Sequence, residues 1–200
     1  MKRVISALVA ILFLVSMPSF AINSKEISSS VEISKPDIIE KENYLRIEIE
    51  ESEYFINPGK PIVPKIIKVF EIPFGAKNIK IDVFPKEISE INPGKELAIS
   101  PYPTILSANE ILPTNKKYEH EDTDYEIYPS SWYSYRIGCG LNDKMERVTF
   151  VTVHLFPVRY KPSESKIYFA SNFEIKIRYD KPSKLTSSSS YDLVIISPKE

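Results

Sequence analysis

The sequence contains a thiol and two imidazoles that could in principle form a nucleophile and its general base. Cys139 is the only cysteine, and His120 and His154 are the only histidines. A catalytic thiol needs a cationic or helix-terminal setting that lowers its pKa. Cys139 instead lies between Gly138 and Gly140, directly after an aromatic stretch typical of a strand. We interpret Cys139 as a small residue in a turn at a strand end and His154 as a half-exposed strand residue. We assign no catalytic residue to this chain.

An acidic cluster follows His120 and could supply oxygen ligands to a hard cation. Its members are Asp122, Asp124 and Glu126. Calcium takes about six to eight oxygen ligands, and the glycine-bearing spacing of an EF-hand loop is absent. Phosphate-binding glycine loops, zinc-ligand spacings and serine nucleophile elbows are absent as well. We therefore interpret the cluster as a solvated loop face and expect no metal and no cofactor.

The composition is that of one folded domain built from strands. Of the 200 residues, 42% are hydrophobic and 12% aromatic, enough to fill a core. Five glycines against 16 prolines and 12 tyrosines disfavour long helices and favour short aromatic strands. With 26 basic and 27 acidic residues, the net charge is −1. We expect no nucleic-acid partner and no anionic membrane surface, because no general electrostatic attraction exists for them.

The N-terminus predicts export. Two basic residues precede the apolar run Val4–Val15, and Ser19 and Ala21 are the small residues typical of a signal-peptide cleavage site. The run is shorter than the ~20 residues that span a bilayer. We expect cleavage between Ala21 and Ile22 and a secreted or cell-surface product. After removal of the signal we expect no stable membrane insertion. The alternative is an uncleaved membrane anchor. A single cysteine excludes an intrachain disulfide.

Alternation of apolar and polar residues predicts three half-buried strands. Their apolar members are Leu45, Ile47 and Ile49; Ile79, Ile81 and Val83; and Phe173, Ile175, Ile177 and Tyr179. Lys65–Ile72 and Val148–Val158 are more evenly apolar, which indicates strands at sheet centres or buried on both faces. Turns are predicted at Asn57-Pro58-Gly59, Pro73-Phe74-Gly75 and Asn92-Pro93-Gly94. This pattern predicts an all-β fold, an antiparallel β-sandwich.

Composition shifts divide the chain into segments. After the signal peptide, residues 1–21, we expect a loose lead-in over 22–41 with at most one edge strand, and the sandwich over 42–180. Its longest candidate loop, Pro101–Lys117, ends in Lys116 and Lys117. Residues 181–190 form a serine-rich linker. Residues 191–200 contain the continuous apolar run Tyr191–Ile196, typical of a strand that opens a parallel α/β sheet, so the chain is expected to end just inside a second, truncated domain.

Several segments, in order, resemble the propeptide domain of gingipain-type cysteine peptidases. The matching segments are Asn57–Pro64, Glu71–Ala76, Tyr128–Tyr133, Arg147–Leu155, Pro157–Pro162 and Phe173–Tyr179. Tyr191–Ile196 is similar to the first strand of the caspase-like catalytic domain of that family. Together the similarity spans Glu42 to Pro198.

This resemblance implies a secreted zymogen. Its β-sandwich prodomain would act as an intramolecular chaperone and inhibitor of the cognate caspase-like peptidase domain until proteolysis removes it. The catalytic His and Cys of the family would lie beyond Glu200. The resemblance also implies an inhibitory contact like that of the best-known members, a basic side chain from a prodomain loop. Candidates are Lys116, Lys117, Lys144 and Arg147, with Lys116 and Lys117 favoured narrowly because their loop is long. Maturation cleavage is expected between Lys181 and Ser190, with Lys181 and Lys184 as the preferred sites if activation is autocatalytic with basic specificity.

Two other readings compete with the prodomain. One is a stand-alone secreted β-sandwich that serves as a binding or adhesion module, suggested by the aromatic segment Tyr125–Tyr135. The other is an enzyme that uses Cys139 with a histidine. The downstream reading frame discriminates between the prodomain and the stand-alone module, since a long continuation with a His-Gly and a later Cys indicates a zymogen.

Overall fold

The computed structural model describes residues 24–42, 44–101 and 126–182. The strands are β1 (Ser24–Glu32), β2 (Asp37–Glu40), β3 (Leu45–Glu48), β4 (Glu53–Phe55), β5 (Val63–Pro73), β6 (Lys77–Ile91), β7 (Tyr133–Leu141), β8 (Arg147–Leu155), β9 (Val158–Lys161) and β10 (Lys166–Asp180). A single 3-10 turn, Pro162–Glu164, is the one helical element of these ranges. None of the helical structure described is long and apolar enough to cross a bilayer.

Two antiparallel sheets form a sandwich. Sheet I has the order β1-β10-β6, with β9 pairing the first part of β10. Sheet II has the order β4-β5-β8-β7, and β2 and β3 form a separate two-stranded sheet. One hydrophobic core takes buried side chains from all three sheets. The structure confirms the predicted all-β fold.

Strand β10 shows why alternation identifies the strands. Phe173, Ile175 and Ile177 point into the core and are 0% exposed. The residues between them face outward, where Glu174 binds Lys86 at 2.6 Å and Lys176 at 2.8 Å. Because successive side chains of a strand point to opposite faces, one sequence pattern fills the core and solvates the surface. The alternating patterns in β3 and β6 are confirmed as well, with Ile47 1% and Ile81 7% exposed.

The predicted turn Pro73-Phe74-Gly75 carries the chain from one sheet to the other. β5 belongs to sheet II and β6 to sheet I. The Ala76 backbone N–H donates to the Pro73 carbonyl at 3.1 Å. Gly75 has φ +80°, a left-handed conformation that glycine adopts without a Cβ penalty. The corner therefore brings Phe74 to one end of the sandwich.

Two expectations about segment boundaries are wrong. The lead-in, expected to hold at most one edge strand, contains two strands in its described part, because β1 pairs along β10 from Ser24 to Glu32 and β2 pairs with β3. Val148–Val158 is not one strand, because β8 ends at Leu155 and Val158 begins β9 in the other sheet. Pro157 cannot donate a backbone hydrogen bond, and the chain changes sheets there. The central position of β8, between β5 and β7, is confirmed.

The expectation that Cys139 lies in a turn is also wrong. Cys139 is inside β7, directly opposite Thr149 of β8, and its side chain is exposed. The flanking glycine is explained by packing, because a Cβ added to Gly140 would lie 3.0 Å from Cε2 of Phe150. Gly140 thus makes room for an aromatic ring on the neighbouring strand. The turn begins three residues after Cys139, at Asn142.

Candidate functional site

The turn between β7 and β8 is a short loop held in one conformation by Asn142. Its side-chain Oδ1 accepts hydrogen bonds from the backbone N–H of Lys144 at 3.0 Å and of Glu146 at 2.9 Å. The Asn142 backbone N–H donates to the Glu146 carbonyl at 3.0 Å. Asparagine side chains that bond the backbone two residues ahead are a common way of ordering turns. The loop is therefore preorganised rather than dependent on a partner for its shape.

This loop carries one of the candidate inhibitory side chains at its tip. Lys144 is exposed, and no carboxylate of the described ranges lies within 4.0 Å of its ammonium group. The neighbouring Met145 is 75% exposed and adopts φ +61°. An ammonium group beside an exposed thioether suits a site that is apolar at its wall and anionic at its base.

Arg147 is placed differently from Lys144. It is the first residue of β8, and its guanidinium carbon lies 5.8 Å from the ring centroid of Phe74. Stacking of a guanidinium on an aromatic face holds the cation in place. Lys144 and Arg147 thus share one turn, but Lys144 extends from it while Arg147 packs against the sheet-crossing corner.

A pocket of about 330 Å³ opens beside this turn. It is lined by Phe74, Cys139, Gly140, Leu141 and Arg147. Most of these residues are apolar, and Arg147 is the one charged residue of the lining. A second pocket, about 370 Å³, lies beside Tyr133 and Ser134, where β7 begins, and aromatic side chains line much of it.

The aromatic segment before β7 packs mainly inward. Tyr128 is 9% exposed and accepts a hydrogen bond from Nδ2 of Asn57 at 2.9 Å. Burial raises the pKa of the Tyr128 phenol. Trp132 contacts Phe173 edge-on, with ring centroids 6.3 Å apart. Tyr128 and Trp132 therefore pack into the core, whereas Tyr135 of the same segment is 52% exposed.

Cys139 and His154 do not form a dyad. Cys139 is opposite Thr149, and its Sγ lies 3.6 Å from the Thr149 hydroxyl. His154 is five residues from Thr149 on the same strand and therefore points to the opposite face of sheet II. Burial first, and then the positive charges of Lys65 and Arg136, lowers the pKa of His154. The described residues offer no base to the Cys139 thiol, and no group of three or more metal-ligating side chains occurs among them.

Several predicted site residues lie outside the described ranges: Ala21, Ile22, Lys116, Lys117, His120, Asp122, Asp124, Lys184 and the run Tyr191–Ile196. Lys181 is described, and it is exposed directly after β10.

Sequence reasoning missed two features of this end of the sandwich. One is Asn142, whose role as the organiser of the turn shows only in its hydrogen bonds. The other is a row of apolar side chains along β7 that is exposed. The alternation of Tyr133, Tyr135, Ile137, Cys139 and Leu141 with polar or glycine residues was a signal that could have revealed the row.

Comparisons with known proteins agree with this architecture. The family model Propeptide_C25 matches residues 23–195. A solved structure on the zymogenic latency of gingipain K from Porphyromonas gingivalis is similar with a TM-score of 0.61 at 12% identity, covering 84% of this chain and 97% of that one. A complex of RgpB pro- and mature domains from the same organism gives 0.58 at 11% identity, covering 85% and 89%. No curated protein matches the sequence.

Proposed function

The chain belongs to the Propeptide_C25 family and is the prodomain region of a gingipain-type cysteine peptidase precursor, and from this premise we propose how it acts. It binds the caspase-like peptidase domain of its own precursor, assists the folding of that domain and blocks its active-site cleft until proteolysis removes it. The observation that carries the proposal is the family match, which covers the whole sandwich.

The preorganised turn supports inhibition by a basic side chain. A loop that already has its bound shape loses little conformational entropy on binding, so more of the contact energy appears as affinity. Among the candidates in the described ranges, Lys144 is the one presented at a loop tip. Lys116 and Lys117 remain the alternative candidates because their predicted loop is long. Double substitutions, of Lys144 together with Arg147 or of Lys116 together with Lys117, distinguish between the two candidate loops.

The test is inhibition in trans. The chain from Ile22 to Glu200 is added to the activated peptidase from the same precursor, and the inhibition constant is measured. We expect reversible inhibition by the wild type. Truncation of a buried charged anchor costs about 2 to 5 kcal/mol, which weakens inhibition well over tenfold, whereas a rim charge changes little. Lys144→Ala/Arg147→Ala is compared with Lys116→Ala/Lys117→Ala.

A matched control uses two other exposed lysines. Lys77→Ala/Lys80→Ala removes the same charge from β6 in sheet I and should leave the inhibition constant unchanged. No inhibition by the wild type would refute the inhibitory function. Inhibition that survives both candidate double substitutions would refute only the choice of loop.

Assistance of folding is tested separately from inhibition. Denatured peptidase is diluted from urea with and without the chain, and the recovered activity is measured after the chain has been removed by proteolysis. We expect recovery to increase when the chain is present, because the folded sandwich offers its binding surface to the folding peptidase. Equal recovery in both samples would refute the chaperone role.

Export follows the family, whose peptidases are secreted or carried on the cell surface, and we propose that signal peptidase cuts between Ala21 and Ile22. The apolar run Val4–Val15 is too short to span, and Ser19 and Ala21 suit the cleavage site. N-terminal sequencing of the exported protein should give Ile22 as the first residue. A membrane-bound product that still carries Lys2 and Arg3 would refute this cleavage.

A further inference from the structure

Strand β7 carries apolar side chains that face the core side of sheet II but are not covered. In an antiparallel pair, directly opposite residues point to the same face. Tyr135 is opposite Val153, and Ile137 is opposite Val151. The two valines are 0% exposed, whereas Tyr135 is 52% and Ile137 41% exposed. The core-side face of β7 therefore extends past the described part of the opposing sheet.

We call this exposed series the β7 row: Tyr135, Ile137, Cys139 and Leu141. Leu141 is 52% exposed and lies at the end of the row that lines the pocket with Phe74. The pocket volume of about 330 Å³ is large enough for an apolar side chain of a partner. The row and the pocket form one continuous apolar surface at the edge of sheet II.

The edge itself lacks the usual protection against pairing. Natural edge strands are blunted by lysines, prolines, bulges or inward-pointing charges. β7 contains no proline and no lysine, and its one charged residue, Arg136, lies on the face opposite the β7 row. Such an edge is expected to be covered in the working protein.

The outer face of sheet I is different. Glu174 binds Lys86 and Lys176, and Arg178 binds Asp82, so ion pairs cover this face. Its exposed Phe84 lies under the Lys176 ammonium, 5.7 Å from the ring centroid. A face of this composition is suited to water. A cluster of exposed apolar side chains marks an interaction surface more reliably than isolated ones do.

The position of the chain exit identifies the occupant. Cβ of Pro182 lies 3.6 Å from the position that a Cβ on Gly75 would occupy, and Gly75 follows Phe74. The chain therefore leaves the sandwich beside the pocket. A peptidase domain that follows the predicted linker would be tethered from this point, and a tether raises the effective concentration of its partner at the β7 row.

We propose that the β7 row and the Phe74 pocket are the surface on which the peptidase domain following this chain docks, with an apolar side chain of that domain in the pocket. The inference rests on the proposed function, because it takes the peptidase domain as the partner. It adds a docking surface beside the turn that carries Lys144, and Arg147, which lines the pocket, belongs to both.

Cys139 is a built-in probe of this surface, since it is the only cysteine of the chain and belongs to the β7 row. The chain from Ile22 to Glu200 is exposed to a brief pulse of iodoacetamide, alone and with the activated peptidase of the same precursor. Alkylation of the Cys139 peptide is quantified by mass spectrometry. We expect rapid alkylation of the chain alone and alkylation slowed at least about tenfold in the complex, because a docked domain excludes the reagent.

Charge placed in the β7 row should weaken binding. Ile137→Lys/Leu141→Lys is expected to raise the dissociation constant at least about tenfold, because a charge would be buried against an apolar partner. The matched control Phe84→Lys/Ile88→Lys alters two residues of sheet I with similar exposure, 47% and 50%, and should change binding less than about twofold. Circular dichroism verifies folding, and Ile137→Ser/Leu141→Ser replaces the lysine variant if that variant unfolds.

The outcomes separate the docking surface from the proposed function. Absence of any binding by the wild type would refute the peptidase as partner. Wild-type binding with unchanged Cys139 alkylation, or equal affinity of the β7 and control variants, would overturn the docking surface and leave the function standing. Slow alkylation of Cys139 in the chain alone would also overturn the docking surface, because another part of the chain would then cover the β7 row. Alkylation that slows as the chain concentration rises would assign the row to a second copy.

Discussion

Asn142 controls the geometry of the turn on which Lys144 stands. One side-chain oxygen accepts two backbone hydrogen bonds, and the side-chain nitrogen lies 3.4 Å from a carboxylate oxygen of Glu71 and 3.4 Å from one of Glu146. A single polar residue thereby ties the turn to β5 as well as to itself. The direction of the Lys144 side chain depends on Asn142, although Asn142 itself is not proposed to contact the peptidase domain.

We predict that Asn142→Ala lowers the free energy of unfolding by about 1 kcal/mol, the net contribution of a typical lost hydrogen bond. If Lys144 is the blocking side chain, inhibition should also weaken, because the loop would have to be ordered on binding. Urea denaturation and the inhibition constant measure the two effects. Asn92→Ala, at another exposed turn, is the control, and an equal loss in both variants would contradict the role of Asn142.

We predict that Cys139→Ala preserves folding and weakens inhibition by less than about twofold, because alanine keeps this position of the β7 row apolar. The thiol has no base beside it in the described residues, and its one polar contact is the 3.6 Å approach to the Thr149 hydroxyl. Alanine keeps the position apolar, so the change in stability should be about 0.5 kcal/mol or less. The assay is inhibition and thermal unfolding of the variant. If the isolated chain hydrolyses peptides and the substitution abolishes that hydrolysis, the chain is an enzyme and not a prodomain.

At the scale of elements, β10 organises sheet I because it pairs on both sides. It bonds β6 along one edge and both β9 and β1 along the other. Its inner face supplies fully buried core side chains, and its outer face supplies Glu174, which binds one lysine of β6 and one of β10 itself. Core packing provides most of the stability, while the exposed ion pairs contribute a smaller amount that depends on pH and salt.

The paired lysines predict how stability depends on pH. Hydrogen bonds from Lys176 and then Lys86 lower the pKa of Glu174 from 4.5 to about 2. As the pH falls, the Glu174 carboxylate of the unfolded chain is protonated before that of the folded chain. The contribution of the Glu174 ion pairs to folding stability is therefore complete above about pH 4.5 and is lost as the pH falls toward 2. The difference in melting temperature between wild type and Glu174→Gln should therefore be present at about pH 5 and vanish by about pH 2. A difference that persists at pH 2, or that is insensitive to added salt, would contradict this assignment, because exposed pairs are screened.

At the scale of the whole molecule, the outer face of sheet I is covered by ion pairs, whereas the core-side face of β7 carries an uncovered apolar row at the edge of sheet II. The first described strand, β1, pairs with the last, β10, so both ends of the described chain are held in sheet I. After Asp180 the chain runs past Gly75. Pro182 therefore lies beside the proposed docking surface.

We predict that maturation cuts the chain between Lys181 and Ser190, with Lys181 and Lys184 as the preferred sites if activation is autocatalytic with basic specificity. Proteases favour exposed segments with few contacts, and β10 ends at Asp180. The family match continues to residue 195, so it includes this segment. Mass spectrometry of the activated protein locates the cut. Cleavage within Val148–Val158 would refute the boundary, because β8 lies at the centre of sheet II.

Local sequence alone determined several of the strands and turns of this protein. The alternation at Leu45–Ile49, Ile79–Val83 and Phe173–Tyr179 predicted strands that the structure contains, since a period of two is a property of neighbouring residues. The turns at Gly59 and Gly75 were predictable for the same reason, because both glycines adopt positive φ within a local motif.

Only the tertiary structure decided which strands became partners and which faces were left uncovered. Glu32 pairs with Asn172, and no local pattern records a contact between residues so distant along the chain. Ile137 and Ile175 follow the same alternating rule, yet Ile175 is 0% and Ile137 41% exposed. The difference arises because burial depends on whether another sheet lies over the strand. Sequence periodicity specifies the direction of a side chain, and tertiary packing determines what that side chain meets.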